Sequence, residues 1–226
     1  SISALVITHE HRDHTQGMGI FARRWGTPVY IAEATARSCA ALLNGGERLH
    51  YYRTGKPVDL GDLRLEPFLT CHDAIDPIGI TVCQRTSRLK VGIATDLGTP
   101  TLPVRHALQR CDLLILEANH DDMMLRTGPY PWSVKSRIAG RHGHLSNRAA
   151  AQLGVELLHP QLAAIVLAHL SQECNDPALA EEEVGGALRR KRYDGPLYVA
   201  AQDEPLAGLD VAALAAEVRC HQLGLF

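Results

Sequence analysis

The sequence lacks the features of a membrane-spanning or disulfide-stabilised protein. No stretch approaches the ~20 apolar residues that a transmembrane helix requires. No signal-peptide pattern is visible, and the cysteines form no Cys-x-x-Cys pair. We therefore expect a cytoplasmic protein that does not contact a membrane. Its widely spaced cysteines are then reduced, mostly buried thiols: Cys39, Cys71, Cys83, Cys111, Cys174 and Cys220.

Lysine is also scarce, so 19 of the 23 basic residues are arginine, a side chain that binds phosphate in a bidentate manner. A genome rich in G and C would produce the same bias, and the net charge of −2 identifies no partner. A length of 226 residues fits one large domain or two small ones. Because no repeat, low-complexity tract or linker interrupts the chain, we predict a single domain over residues 1–226.

Strand and helix patterns alternate along this domain. Apolar, β-rich runs lie at Ala4–Thr8, Val29–Ile31, Leu63–Phe68, Gly79–Cys83, Lys90–Thr95, Leu113–Glu117, Ile165–Ala168 and Leu197–Ala200. Helical patterns lie at about Thr15–Trp25, Glu33–Leu43, Pro103–Arg110, Ser146–His159, Pro177–Lys191 and Val211–Leu223. This alternation is typical of the α/β fold class.

The densest chemistry lies in the heptad Thr8–His14, directly after the first predicted strand. It places His9, His11, Asp13 and His14 within six residues. Imidazole nitrogens suit zinc, and a neighbouring carboxylate suits a second metal or a bound water. If the chain stays extended through His11, then His9 and His11 project to one side and the other two fall in the turn beyond. One short segment can therefore supply ligands to two adjacent metals.

Four more polar residues stand at or just past the ends of predicted strands: His72, Asp96, Glu117 and His169. Strand ends in a layered α/β fold meet at one rim, so these groups can reach the heptad. We predict a two-metal site bridged by Asp96 and a hydroxide, with open positions typical of catalysis. The first metal takes His9, His11 and His72, and the second takes Asp13, His14 and His169.

These ligands, and several phrases around them, resemble the metallo-β-lactamase superfamily. The phrases T-H-E-H-R-D-H-T-Q-G, C-H-D-A-I-D-P-I-G, A-T-D-L-G, L-E-A-N-H-D-D-M-M-L and A-H-L-S-Q-E-C-N are similar to its WalJ/YycJ-like exonuclease branch, from about Ala4 to about Pro177. The resemblance implies a four-layer αβ/βα sandwich and a 5′→3′ DNA exonuclease that uses two divalent ions, Zn²⁺ or Mn²⁺. It also implies further strands before Ser1, so we expect an N-terminally truncated domain.

Phosphodiester hydrolysis requires a proton for the departing alkoxide as well as a nucleophile. We identify His144, in G-R-H-G-H-L-S-N, as the candidate proton donor, with Glu117 orienting it. A similar Glu and His occur in phosphodiester-cleaving relatives of the family. Asp13 is a further catalytic candidate because it can orient the hydroxide. A plain structural position for His144, just before the helix cap Ser146, stays open.

The segment Met123–Val155 contains no acidic residue, yet it carries Arg126, Lys135, Arg137, Arg141 and Arg148, with Tyr130 and Trp132 between them. Basic side chains interleaved with aromatic rings suit a nucleic-acid strand, through phosphate contacts and base stacking. A solvated loop and helix face would show the same composition. Our candidate substrate contacts are Arg137, Arg141, Arg148 and the nearby His120.

Other functions fit parts of the pattern. A small-molecule cyclic phosphodiesterase would use the same metals. A tRNase Z-like RNA endonuclease would also use them, but the 23 residues between His72 and Asp96 leave no room for its protruding arm. A thioesterase or lactonase would not need Glu117 and His144. The non-enzyme alternative is a nucleic-acid-binding module that has lost its metals, although all seven predicted ligands are present here.

Overall fold

The computed structural model describes residues 2–223, with side chains placed up to residue 220. Two β-sheets face each other, and helices cover the outer face of each sheet. The single domain predicted over residues 1–226 stays a prediction, and Ser1 and residues 224–226 lie outside the described residues.

A three-stranded parallel sheet leads into the heptad. Its strands lie in the order β1 (Leu5–Val6), β2 (Val29–Ala32) and β3 (Leu49–Tyr52). The connections contain helices α1 (Arg12–Thr15), α2 (Met18–Trp25) and α3 (Glu33–Ser38), followed by a 3₁₀ turn at Ala40–Leu42. Residues Ile7, Val29 and Ile31 point outward and are buried against Met18, Ala22 and Ala36 of these helices.

The second sheet has seven strands in the order β10-β9-β8-β7-β6-β5-β4. Their bounds are β4 (Val58–Leu60), β5 (Leu63–Leu69), β6 (Ile78–Gln84), β7 (Lys90–Ala94), β8 (Leu113–Glu117), β9 (Ala164–Ala168) and β10 (Leu197–Val199). Strands β7 to β10 pair in parallel, whereas β4 to β7 pair antiparallel. Apart from Glu117 at the end of β8, strands β8 and β9 consist of apolar residues, as expected for strands buried on both faces.

The remaining helices are α4 (Leu102–Leu108), α5 (Asp122–Thr127), α6 (Trp132–Ile138), α7 (Asn147–Glu156), α8 (Pro177–Arg190) and α9 (Val211–Leu223). The largest apolar core joins the second sheet to α4, α7 and α8. Between the sheets, Ala32 and Tyr52 pack against Leu65, Ile78 and Ile80. Helices therefore enclose both sheets, which confirms the predicted four-layer αβ/βα sandwich.

Several predicted elements need correction. The helix predicted over Thr15–Trp25 is two helices, because α1 already begins at Arg12 and the chain breaks around Gly17. Strands β3 and β4 escaped prediction because His50 and Asp59 interrupt their apolar runs. Helices α5 and α6 were also missed, although Asp121 caps α5 by accepting hydrogen bonds from Met123 N and Met124 N.

The predicted functional residues lie at one edge of the sandwich. Strands β5, β7, β8 and β9 run in the same direction, so the residues that follow them emerge at one rim. The heptad reaches the same rim, where Ile78 N donates a hydrogen bond to Thr8 O across the two sheets. Over the described residues, no helix is both long enough and apolar enough to cross a membrane.

Candidate metal centre

The first predicted ligand triplet converges at this rim. The Nε2 atom of His9 lies 3.1 Å from Nδ1 of His11, and Nε2 of His72 lies 3.2 Å from that same Nδ1 atom. His9 and His72 are buried, whereas His11 is half-buried and faces the cavity described below. Three imidazole nitrogens thus point at one small volume.

The second predicted triplet lies beside the first. Its members come from α1 and from the residue after β9. His14 Nε2 lies 3.4 Å from Asp13 Oδ2, and His169 Nε2 lies 3.8 Å from the same oxygen. Thr8 holds the two triplets together, because its hydroxyl lies 3.1 Å from Nδ1 of both His9 and His14. Both imidazoles are thereby turned so that Nε2 faces inward.

Asp96 lies between the two triplets. Its Oδ2 atom is 3.3 Å from His14 Nε2, and its Oδ1 atom is 3.7 Å from both His72 Nε2 and His169 Nδ1. Asp96 and His169 both adopt left-handed backbone conformations, with φ of 55° and 57°. Such conformations are uncommon for residues other than glycine and tend to persist at functional sites, where the surrounding fold enforces them.

Glu117, a buried residue at the end of β8, forms hydrogen bonds to several parts of the site. Its Oε1 atom accepts hydrogen bonds from His144 Nδ1 at 2.9 Å and from His169 Nδ1 at 2.7 Å. The backbone amides of Asp96, Leu97 and Leu145 also donate to this fully buried carboxylate. Glu117 was predicted to orient His144, and the structure adds that the same oxygen orients the predicted ligand His169.

The segment between α6 and α7 ties His144 to the first triplet. Nδ1 of His72 donates a 3.0 Å hydrogen bond to the carbonyl of Gly143, and His144 N donates to Ile138 O. A Cβ atom on Gly143 would lie 2.1 Å from that Ile138 carbonyl, so no larger residue fits there. With Nδ1 of His144 bound to Glu117, the proton it can deliver to the cavity is the one on Nε2.

The two triplets differ in their protonation. Burial lowers the pKa of His9 to about 3 and also lowers the pKa of His72, so these imidazoles are neutral. Although burial opposes it, Asp13 and Glu117 raise the pKa of His169 to about 10, and His169 in turn lowers the pKa of Asp13 to about 2. Protons on the second triplet therefore balance a local excess of carboxylates.

A cavity of about 750 Å³ opens over these groups. Asp13, Asp96, His144 and His169 line it, together with Arg12, Tyr130 and Arg137. Of the four predicted substrate contacts, Arg137 is therefore on its wall. Arg141, Arg148 and His120 are not: Arg148 pairs with Asp122 at 2.6 Å, Arg141 is exposed, and His120 is buried. Contact of these three residues with a substrate stays a prediction.

A sequence model of the Beta-lactamase superfamily domain matches residues 1–169. The chain belongs to the metallo-β-lactamase superfamily. It is therefore a metal-dependent hydrolase, which confirms the class of enzyme that the predicted two-metal site and the family resemblance implied. Membership of the superfamily implies binding of divalent metal ions, and the His and Asp clusters of this chain lie together at the rim of the sandwich.

Two relatives belong to the exonuclease branch of the superfamily. Exodeoxyribonuclease YycJ of Bacillus anthracis is 32% identical over 194 residues, which cover 85% of this chain and 73% of the relative. Exodeoxyribonuclease WalJ of Streptococcus pneumoniae is 33% identical over 183 residues, 79% of this chain and 67% of the relative. These matches confirm the resemblance to the WalJ/YycJ-like branch.

Solved structures of the superfamily agree in fold. The metallo-β-lactamase fold protein YhfI from Bacillus subtilis superposes with a TM-score of 0.68 at 17% identity, covering 92% of this chain and 78% of that protein. At this level of identity the similarity supports the architecture, and the functional assignment depends on the site itself.

The residues of this metallo-β-lactamase chain fit a divalent metal centre. Each predicted triplet has one donor atom per residue within 4.8 Å of the others. Among the described residues, none donates a hydrogen bond to the buried Oδ2 atom of Asp96, even though His14 Nε2 is near it. A buried carboxylate oxygen without a donor is costly unless a cation compensates it. The assignment of individual ligands to two metals stays a prediction.

Sequence reasoning missed three contributors to this metallo-β-lactamase site. Thr8 orients two of the histidines, and the Gly143 carbonyl orients His72. Asp73 forms an ion pair with Arg137 and lies 3.4 Å from His72 Nε2. The position of Asp73 next to His72 in the sequence could have indicated its place in the site. The contact of His72 with a backbone carbonyl 71 residues away could not be predicted from the sequence.

Proposed function

We propose that this metal-dependent hydrolase is a phosphodiesterase that acts as a DNA exonuclease, with 5′→3′ polarity and Zn²⁺ or Mn²⁺ as its metals. The observation that carries the proposal is the pairing of His144 with the buried carboxylate of Glu117, at the wall of the cavity and beside Asp96. Hydrolysis of a phosphodiester expels a strongly basic alkoxide, so it needs a proton donor in this place.

The proposed reaction uses the cluster and His144 for different tasks. His9, His11 and His72 would hold one metal, Asp13, His14 and His169 the other, and Asp96 would contact both. When bound, two divalent metals would activate water and offset negative charge on the phosphate. Asp13, at the open side of the cavity, would orient the attacking water. His144 would give its Nε2 proton to the leaving oxygen, and Glu117 would hold the imidazole ring in place through its hydrogen bond to Nδ1.

Several features favour a nucleic-acid substrate over a small ester. The cavity is open and large, and two arginines, Arg12 and Arg137, lie on its wall with the aromatic ring of Tyr130. Arg137 is paired with Asp73, so Arg12 supplies the guanidinium group for phosphate oxygens, and the Tyr130 ring can stack on a base. The two related proteins bear the name exodeoxyribonuclease, which supports DNA as the polymer.

A direct test uses oligonucleotides labelled at either the 5′ or the 3′ end, with Mn²⁺ or Zn²⁺ added to the purified chain. We expect stepwise release of nucleotides from the 5′ end. Asp96→Ala should abolish cleavage, and His144→Ala should slow it by about 10²–10⁴-fold, the usual contribution of a general acid. His106→Ala, an exposed histidine on α4, is the matched control and should leave the rate unchanged.

Bis(p-nitrophenyl) phosphate separates the role of Asp96 in metal binding from the role of His144 as a proton donor, because p-nitrophenolate leaves without a proton. His144→Ala should therefore retain most activity on this diester and keep its metal content, whereas Asp96→Ala should lose both. Hydrolysis of the small diester without any cleavage of DNA would replace the proposal with a small-molecule phosphodiesterase. Full nuclease activity in Asp96→Ala would contradict the metal-site assignment.

A further inference from the structure

A second pocket opens beside His144 and adjoins the main cavity. Its volume is about 240 Å³. It shares Tyr130, Arg137, Ile138 and His144 with the main cavity, and none of the seven predicted metal ligands lines it. We call it the side pocket; its wall is formed by Asp73, Tyr130, Val134, Arg137, Ile138, Gly143 and His144.

The position of the side pocket matters for the proposed reaction. In an in-line displacement, the nucleophile and the leaving group lie on opposite sides of the phosphorus atom. If His144 gives its proton to the leaving oxygen, the nucleoside attached to that oxygen must lie on the His144 side. The side pocket is a concave surface that adjoins the His144 imidazole directly, so a nucleoside beside His144 can place its base there.

The chemistry of the wall suits a neutral, flat group rather than a phosphate. Val134 and Ile138 are half-buried apolar side chains, and Tyr130 adds a half-buried aromatic ring. The guanidinium of Arg137 is neutralised by its ion pair with Asp73. A phosphate placed here would meet the Asp73 carboxylate, whereas a nucleobase would gain apolar contact and stacking on the ring.

The size of the side pocket also selects a single base. Its volume of about 240 Å³ lies below the roughly 300–1,000 Å³ of pockets that enclose drug-sized ligands. At ~30 Å³ for each water molecule in the liquid, it corresponds to about eight waters. One base fits this space, and a second nucleotide does not.

From these observations, and on the basis of the proposed function, we infer that the side pocket is the subsite for the base of the departing nucleoside, with Tyr130 as its stacking platform. The subsite is linked to the catalytic groups through the backbone. Asp73 N donates to His142 O, and His144 N donates to Ile138 O on the helix that forms the wall. A base that occupies the pocket therefore helps to fix the position of His144.

The kinetic test combines a change in the protein with a change in the substrate. The substrates are a deoxydinucleoside monophosphate and two analogues in which one or the other nucleoside is abasic; the products show which nucleoside left. For the unaltered protein, we expect removal of the departing base to lower kcat/KM at least ten-fold, and removal of the other base to have a smaller effect. On the intact substrate, Tyr130→Ala should lower kcat/KM by a similar factor. For the Tyr130→Ala protein, removal of the departing base should then lower kcat/KM by less than a further two-fold.

Two further variants accompany this test. Tyr130→Phe should keep near-normal kcat/KM because it retains the ring. Tyr51→Ala removes an exposed tyrosine from β3 in the other sheet and should behave as the unaltered protein. The inference would be overturned if the losses in kcat/KM caused by Tyr130→Ala and by removal of the departing base multiplied independently. Full activity on the substrate that lacks the departing base would also overturn it.

A binding measurement tests the subsite without any cleavage. Saturation-transfer NMR with deoxyadenosine should show contact between the base and the protein, and Val134→Trp, which fills the side pocket, should abolish it. Equal binding to both proteins would overturn the subsite. If the unaltered chain binds deoxyadenosine in this way but never cleaves DNA, the proposed function fails and the subsite stands.

Discussion

At the scale of single residues, Glu117 determines the geometry of the site. Two of its hydrogen bonds come from imidazoles and three from backbone amides, so both of its oxygens act purely as acceptors. Burial opposes the charge, but the hydrogen bonds from His144 and His169 prevail and lower the pKa of Glu117. A carboxylate is therefore required here, and one side chain positions both the predicted proton donor and a predicted metal ligand.

The change Glu117→Gln tests this requirement. In either orientation, the amide NH₂ group of glutamine would face hydrogen-bond donors, and a buried group left unsatisfied costs roughly 1–3 kcal/mol. We expect the free energy of unfolding to fall by about 3 kcal/mol. Urea titration with excess chelator measures this effect apart from any metal. The control Glu66→Gln lies on the surface of β5 and should change stability little; an equally small effect of Glu117→Gln would contradict the argument.

At the scale of elements, helix α7 positions His144 from the other side. Ser146 caps the helix, and its hydroxyl accepts a hydrogen bond from Ala149 N. Within the same turn, Asn147 forms a reciprocal pair of side-chain hydrogen bonds with Asn175, at 2.8 and 2.9 Å. His144, two positions before the cap, is therefore held between α6 and α7 by contacts on both sides.

Ser146→Ala removes the cap without altering the cavity. We expect a loss of about 1 kcal/mol in the free energy of unfolding, the usual cost of deleting an N-cap hydroxyl. Ser146→Asp restores an acceptor and should recover most of that loss. Ser136→Ala, on the exposed face of α6, serves as the control for removing a hydroxyl. Chemical denaturation of the four proteins measures the difference, and equal stability of Ser146→Ala and the unaltered chain would exclude a capping role.

At the scale of the whole molecule, the site joins the two sheets. The first sheet supplies the heptad, and the second supplies the residues that follow β5, β7, β8 and β9. Neutral imidazoles and carboxylates meet at this seam, and their lone pairs can bind a cation. A ligand that binds the folded state alone stabilises the fold as its concentration exceeds its Kd.

Removal of metal should therefore lower the thermal stability of the entire chain. At a metal concentration 100-fold above Kd the stabilisation is about 2.7 kcal/mol. For a domain of this size that corresponds to a decrease in Tm of roughly 5–10 °C after chelation. Differential scanning calorimetry with and without EDTA measures it. Asp96→Ala should show little further decrease on chelation, and an unchanged Tm in the unaltered chain would argue against binding at the seam.

The sequence by itself determined the class of fold and the candidate ligands. Apolar runs alternating with amphipathic segments indicated the α/β class, because each pattern must bury one face, and the resemblance to the metallo-β-lactamase superfamily implied the four-layer sandwich. The heptad could be interpreted alone, since four donor side chains within six residues have few other uses. His72, Asp96 and His169 could be added because each follows a strand, and strands that run in the same direction end at the same rim.

The tertiary structure decided what depends on contacts between distant segments. Strands β3 and β4 are too short to be stable alone, and they exist because β2 and β5 pair with them. The role of the Gly143 carbonyl, the double role of Glu117 and the neutralisation of Arg137 by Asp73 involve partners 27 to 71 residues apart. No local pattern encodes such pairings, because they arise when packing of the two sheets brings separate loops to one rim.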